Sequence, residues 1–347
     1  MTRSQLPPGR LRLFAALVGL IVVGSAVYLY LLRAETSTSA GGPTRVFDAS
    51  QQQSLTHVRR GAHLAFRNMV PGPEYGRLAF APLDDRDSRQ TTLLECNRIY
   101  FTNKAGFCLT IARSPAGFRG YLIDSSLGIT HTLDLPGMPS RTRVSRDSRR
   151  AAYTVFVAGD SYLATGLSTR TRVVDAASGD DAGDLESFTV TRSGQVIHAV
   201  DFNFWGVTFT RDSNRFYATL GTRGRTYLLE GDVKERALRV IGDDVECPSL
   251  SPDETRIAFK KKFGSGFEAW WQPALIDLST REVRLLPEPK HIDDQIEWLD
   301  DGHILYAVGH SISAARRRSD IWVLATDGAT GPTVFVADAE SPAVVRP

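Results

Sequence analysis

Residues 251–259 read SPDETRIAF: a small residue, Pro, an acid, two further turn residues, Arg and then an apolar triplet. Related phrases stand at residues 145–153 (SRDSRRAAY), 210–218 (TRDSNRFYA) and 299–307 (LDDGHILYA). In each, a short strand closes on an apolar residue, namely Val144, Phe209, Leu250 or Trp298. A turn of Pro, Asp, Ser or Gly follows, residue types that favour turn geometry and local side-chain capping. A second strand then begins, at residues 151–157, 216–220, 257–261 and 304–308. Weaker copies start at Phe101 (FTNKAGFCLTIA) and at Arg59 (RRGAHLAFRN), the latter keeping only its second strand.

One equivalent second-strand position falls at Phe66, Thr110, Tyr153, Ala218, Phe259 and Tyr306, with successive spacings of 44, 43, 65, 41 and 47 residues. A period of roughly 40–50 residues with several short strands per unit is the signature of a propeller. A helical solenoid would need apolar stripes of period 3.6, and no stretch after residue 45 sustains one. Two more strand-like runs follow each turn, EAWWQPALIDL and REVRLLP in the fifth unit, SDIWVLATD and GPTVFVA in the sixth. The expected fold is therefore all-β, a six-bladed β-propeller of four-stranded blades, occupying residues 46–347. The long interval after Tyr153 carries LESFTVTRSGQVIHAV, which predicts an extra hairpin on the third blade; the interval is too short for a seventh blade.

The chain ends predict how the ring closes. SPAVVRP at residues 341–347 repeats the pattern of SLSP at 249–252, an apolar position followed by the residue before Pro, whereas the first unit has no convincing first strand. Residues 343–345 are expected to supply the inner strand of the first blade, removing two exposed strand edges. The alternative is a frayed tail, with a strand near residues 46–48 closing the ring.

The phrase SPDETRIAF, followed by LIDLSTREVRLL, resembles the TolB-like, WD-like β-propeller repeat: S-P-D-G, a basic pair, an apolar run, then an apolar strand ending in Asp. The resemblance spans residues 59–347, closest in the fifth unit and faintest in the first two. It implies an extracytoplasmic six-bladed propeller that acts by binding other proteins, often near the cell envelope. The chain departs from that family in showing no separate N-terminal α/β domain of the TolB kind.

What stands at the N-terminus instead is a 20-residue run without a charge, LFAALVGLIVVGSAVYLYLL at residues 13–32. As a helix rising ~1.5 Å per residue it would cross a hydrocarbon core ~30 Å thick. Arg3, Arg10 and Arg12 precede it, so the positive-inside rule keeps residues 1–12 cytoplasmic and sends the body outside. The expectation is one transmembrane signal anchor with residues 33–45 as a flexible linker; a signal peptide cleaved near Ala26 is the alternative. Without the four arginines of the first 33 residues, 37 basic and 39 acidic side chains remain, a nearly neutral body that gives no support for nucleic-acid binding. Of three cysteines, Cys96 and Cys108 lie close enough in sequence to pair in an oxidising exterior; all three as small buried apolar side chains is the competing reading.

No catalytic signature emerges. A propeller-bearing peptidase would need a separate α/β domain with a G-x-S-x-G elbow, and GDSYL at 159–163 lacks the second Gly, leaving Ser161 as a loop serine. The turns do not match the S-x-D-x-G-x-T-W boxes of sialidases. The seven histidines do not cluster at metal-ligand spacing, and His303 occupies a turn slot that holds Arg in other units. LDDRD at 83–87 lacks the Gly and spaced acids of a calcium loop and reads as a solvated turn. ARRRSD at 315–320 reads as a soluble basic loop, with an anionic membrane surface as the other possibility. Asp147, Asp212 and Asp253 are expected to accept backbone N–H bonds and fix their hairpins. The aromatics of DFNFWGVTF at 201–209 either pack between blades or line a ligand mouth. No cofactor or metal is indicated.

A binding or scaffolding module in the cell envelope, with a protein or peptide partner, is thus the expected function; the alternative is a propeller enzyme, a hydrolase or lyase working at the central channel. The first strands, which face that channel, bring Arg98, Arg141, Arg143, Glu246, Asp294 and Glu297 forward as candidate binding residues. The other account of these six is that they pair with one another and simply satisfy the channel.

Overall fold

The computed structural model describes residues 46–113, 116–157, 168–265, 268–313 and 316–347, with residue 19 and residues 23–25 ahead of them. Most of the expected membrane segment, the linker at 33–45 and Ser161 lie outside the described residues. Among those that are described, no helix is long and apolar enough to cross a membrane.

A short helix α1 (Gln52–Val58) leads into the first blade, β1 (His63–Asn68), β2 (Arg77–Pro82) and β3 (Gln90–Glu95). The second blade is β4 (Arg98–Phe101), β5 (Ala105–Arg113), β6 (Ala116–Asp124) and β7 (Ile129–Leu135); the third is β8 (Met138–Val144), β9 (Arg150–Val157), β10 (Ser168–Asp175) and β11 (Asp181–Asp184). A hairpin of β12 (Thr189–Arg192) and β13 (Gln195–Ile197) precedes the fourth, β14 (Asn203–Phe209), β15 (Arg215–Thr222), β16 (Arg225–Asp232) and β17 (Ala237–Asp243). The fifth holds β18 (Glu246–Leu250), β19 (Arg256–Phe263), β20 (Trp270–Asp277) and β21 (Val283–Leu285), and the sixth β22 (Glu297–Asp300), β23 (His303–Ser313), β24 (Arg316–Ala325) and β25 (Thr333–Val336). The last strand, β26 (Ala339–Val345), returns to β1 with His63 opposite Val345, Leu64 opposite Val344 and Ala65 opposite Ala343. The molecule is an all-β propeller of six four-stranded blades.

The innermost strands β26, β4, β8, β14, β18 and β22 touch one another in that cyclic order and so surround a central axis. Among the described residues, apolar side chains gather into six clusters, each shared by two neighbouring blades around the ring. A blade buried on both faces explains why runs such as Leu64–Ala65–Phe66 carry no polar alternation. Phe66, Thr110, Tyr153, Ala218, Phe259 and Tyr306, the equivalent second-strand positions, are all buried.

The repeated turn works through its Asp. Asp253 accepts from Ser251 Oγ at 2.5 Å and from the Thr255 N–H at 3.0 Å, while Ser251 Oγ accepts from the Arg256 N–H at 3.0 Å. Asp147 and Asp212 repeat the arrangement with Ser145 and Thr210. In the sixth blade Asp300 binds the Gly302 N–H and His303 Nδ1 (2.8 and 2.9 Å), which gives that histidine a structural role.

Two expectations need correction or a choice. The extra hairpin belongs to the fourth blade, not the third. Asp184 caps a 3₁₀ turn (Leu185–Ser187) that leads the chain away from β11, Phe188 and Val190 sink into the core shared by blades three and four, and β12 lies parallel to β17 with Thr189 opposite Ala237. Val46 is not a ring-closing strand: its carbonyl accepts from Leu93 and its N–H donates to Leu127, tying the outer strand of the first blade to a turn of the second. Cys96 and Cys108 form a disulfide that staples the end of β3 to β5 of the next blade, and Cys247 is free and buried.

Candidate functional site

Each inner strand begins at the face of the second-to-third-strand hairpins, here the top, and ends at the face of the repeated turns, here the bottom. That direction sorts the six sequence-derived residues. Arg98, Arg141 and Glu246 stand in the upper layer on their strands, and Arg143 and Glu297 stand lower down. Asp294, expected on a first strand, lies instead in the connection leading into β22, which begins only at Glu297.

Arg143 of blade three reaches across the axis to blade six. Its Nη1 pairs with Glu297, and its Nη2 donates to the Ile296 carbonyl at 3.1 Å and to Ser249 Oγ at 3.2 Å. Tyr100 lies with its ring 4.5 Å from the guanidinium carbon and its hydroxyl 3.1 Å from Glu297 Oε1. Both charged side chains are at most 7% exposed, so this strut closes the channel and separates its two mouths. Burial and the Glu297 carboxylate push the Tyr100 hydroxyl up to about 12. Burial also raises the Glu297 carboxyl, against the opposing pull of Arg143.

Above the strut, Arg141 spans the axis as well, donating to the Asp293 carbonyl at 2.7 Å. Arg98 Nε donates to the Ser140 carbonyl at 2.6 Å and its Nη1 stands 3.8 Å from Glu340, which also pairs with Arg67 at 2.6 Å. Asp294 is buried, its Oδ2 accepting from the Ser341 N–H at 2.9 Å. The structure therefore brings all six around the axis, in two layers and largely paired.

The upper layer opens into a cavity of ≈ 490 Å³ whose lining includes Arg141, Glu246 and, from DFNFWGVTF, Trp205, but also residues that reading the first strands missed: Lys260, Lys262, Trp271 and Asp293. Lys260, only 2% exposed, holds Asp293 Oδ1 at 3.0 Å. Although burial works the other way, Lys260 and Arg141 hold the Asp293 carboxyl at about 2. Trp271 lies beneath Lys260 and Lys262, 5.3 and 5.5 Å from its ring centre, and its indole N–H donates to Glu246 at 2.9 Å. Burial raises the Glu246 carboxyl, opposed by Lys260 and that indole. The signal for these residues lay in KKKF at 260–263 and WW at 270–271, charged and aromatic runs at the tip of a long hairpin, and in the acidic pair before β22.

DFNFWGVTF divides its labour. Phe204 and Phe209 are core, whereas Trp205 faces the mouth. Gly206 permits this with φ +69°, where an added Cβ would stand 2.7 Å from Cys247 Cα. Outside the channel, Asp84, Asp85 and Asp87 lie in the turn between β2 and β3, with Ser88 donating to Asp85. From the basic run at 315–320, Arg318 is ion-paired with Asp338. Among the described residues, no three His, Cys, Asp or Glu side chains gather as a metal site requires.

No family model and no curated protein matches the chain. Among solved structures, it is similar to TolB from Acinetobacter baumannii, at 18% identity over 84% of this chain and 69% of that one with a TM-score of 0.57. It is also similar to a chain of a nidogen/laminin complex, at 10% identity over 82% and 98% with a TM-score of 0.52. A putative TolB from Agrobacterium tumefaciens aligns at 9% identity over 81% and 91% with a TM-score of 0.49. At such identities the likeness is one of fold: the chain is similar to six-bladed propellers of the TolB type.

Proposed function

We propose that the chain is a membrane-tethered β-propeller outside the cytoplasm that binds a partner protein of the cell envelope at its top mouth. The observation that carries this reading is a concavity in which indole faces, ammonium groups and carboxylates converge above a channel closed from below. A cavity of this size with a few placed polar groups has the character of a recognition site. The charge-free run at 13–32 behind three arginines supports the tether and its orientation. The TolB-like fold supports a protein-interaction module at the coarse level.

The enzymatic alternative would need acid and base groups meeting at one reacting centre. Glu246, raised by burial, shares the top mouth with Asp293, but Lys260 and Arg141 hold Asp293 as a carboxylate too weakly basic for a general base, and the other carboxyl raised by burial stands elsewhere. Glu246 lines the top mouth against Trp271, whereas Glu297 is spent on Arg143 and Tyr100 in the strut. Pull-down from solubilised envelope with residues 46–347 as bait tests the binding reading. A reproducible partner lost on Lys262→Glu or Trp205→Ala is expected; retention by both variants, or no partner at all, would refute it.

A further inference from the structure

The face opposite that mouth carries a separate cavity of ≈ 470 Å³ on the axis, beneath the strut. Its walls include Val144, Phe209, Leu250, Trp298 and Val344, drawn from five different inner strands. The rim is cationic. Arg146 of blade three and Arg211 of blade four both reach to the fifth blade and donate to the same atom, the Pro252 carbonyl, each at 3.0 Å. Arg346 stands at the rim too, donating to the Leu299 carbonyl.

Two guanidiniums gathered on one neutral oxygen repel each other, a repulsion that water screens in part at these exposed side chains and that an anion between them would relieve. The carboxylates at hand are too few. Glu254 stands 3.9 Å from Arg211 Nε and accepts that residue's backbone N–H at 2.6 Å, and Glu297 is committed to Arg143. Among the described lining side chains, the three rim arginines thus face two carboxylates, Glu254 and Glu297, and both are already engaged. Arg146 and Arg211 are exposed, so their charges can be shared with an incoming group, and planar guanidiniums bind carboxylates bidentately.

We propose that this bottom mouth is a second binding site, for a free small organic anion with an apolar body. Its carboxylate is taken by Arg146 and Arg211 and its hydrocarbon part enters the space above Leu250 and Trp298. A cavity of this size falls in the range of small-molecule pockets, ~300–1,000 Å³. The inference stands apart from partner binding at the top mouth.

Calorimetric titration of residues 46–347, whose ring closes within those residues, tests it with 2-naphthoate and its uncharged isostere 2-naphthamide. Saturable one-to-one binding of the naphthoate is expected, with the amide at least tenfold weaker. Arg146→Met/Arg211→Met should weaken naphthoate binding at least tenfold, while Lys262→Glu at the other mouth leaves it unchanged. Equal affinity for acid and amide, an unaltered affinity in the double variant, or heats of dilution alone would each overturn the proposal. Flotation with phosphatidylglycerol vesicles that abolishes naphthoate uptake would also overturn it, assigning the arginines to a lipid headgroup.

Discussion

Arg143 is the side chain whose loss the ring should tolerate least. Removing one partner of a buried ion pair leaves the other charge uncompensated, at a cost of about 3–5 kcal/mol, whereas replacing both with apolar groups is often neutral. Arg143→Met should therefore lower the urea-unfolding free energy of residues 46–347 by that amount, and Arg143→Met/Glu297→Leu should recover most of it. Equal losses in the two variants would show that packing, not charge, holds the axis. Asp293 offers a pH test. Its folded carboxyl sits at about 2 against an ordinary 3.8, so between those values the folded state binds fewer protons than the unfolded one. The contribution is present above about pH 4 and is lost as the pH falls through 2. Because the carboxylate is half-exposed, screening limits it to on the order of 1 kcal/mol. Asp293→Asn should accordingly be less stable than the parent at pH 6 and converge with it near pH 2. Parallel curves from pH 6 to 2 would refute the assignment. At the repeated turn, Asp253→Ala should cost about 1 kcal/mol through its lost hydrogen bonds, measurable in the same unfolding series.

Elements were legible where their signal is local. A turn whose Asp caps its own hairpin writes itself into nine consecutive residues, so blade number, second strands and their burial could be read from the sequence. The hairpin β12–β13 was visible for the same reason, but not its blade, because parallel pairing of Thr189 with Ala237, 48 positions further along the chain, leaves no local trace. Two ties between elements, one short in sequence and one spanning the chain, carry the element-scale predictions. The Cys96–Cys108 disulfide closes a short loop between blades one and two, and such a cross-link contributes ~3 kcal/mol through chain entropy. Cys96→Ala/Cys108→Ala should lose that much, with added reductant having no further effect on the variant. Truncation after residue 340 removes most of β26 from β1 and opens the ring. At a net ~0.5–1.5 kcal/mol per hydrogen bond plus lost burial, the loss is a large share of a typical ~5–15 kcal/mol. A melting midpoint unchanged by the truncation would contradict closure by this strand.

For the molecule as a whole, the site was only half legible. Inner-strand charges such as Arg141 and Glu246 follow from knowing which strand lines the axis. Lys260, Lys262 and Trp271 come from the neighbouring strands and Asp293 from the connection before β22, and only the closed ring brings them to one mouth. The ring also separates two environments, a charged and aromatic top mouth and an apolar, arginine-rimmed bottom one, with the Arg143 strut between them. The claim that the top mouth receives a protein partner is tested most directly by site-specific photo-crosslinking of the full chain in intact cells. The crosslinking residue would be placed at Lys262 or Arg225 at the top and, as a control, at Glu235 in a bottom turn. The account predicts a discrete protein adduct from the two top positions and none from Glu235; no adduct from the top positions, or the same adduct from all three, would contradict it.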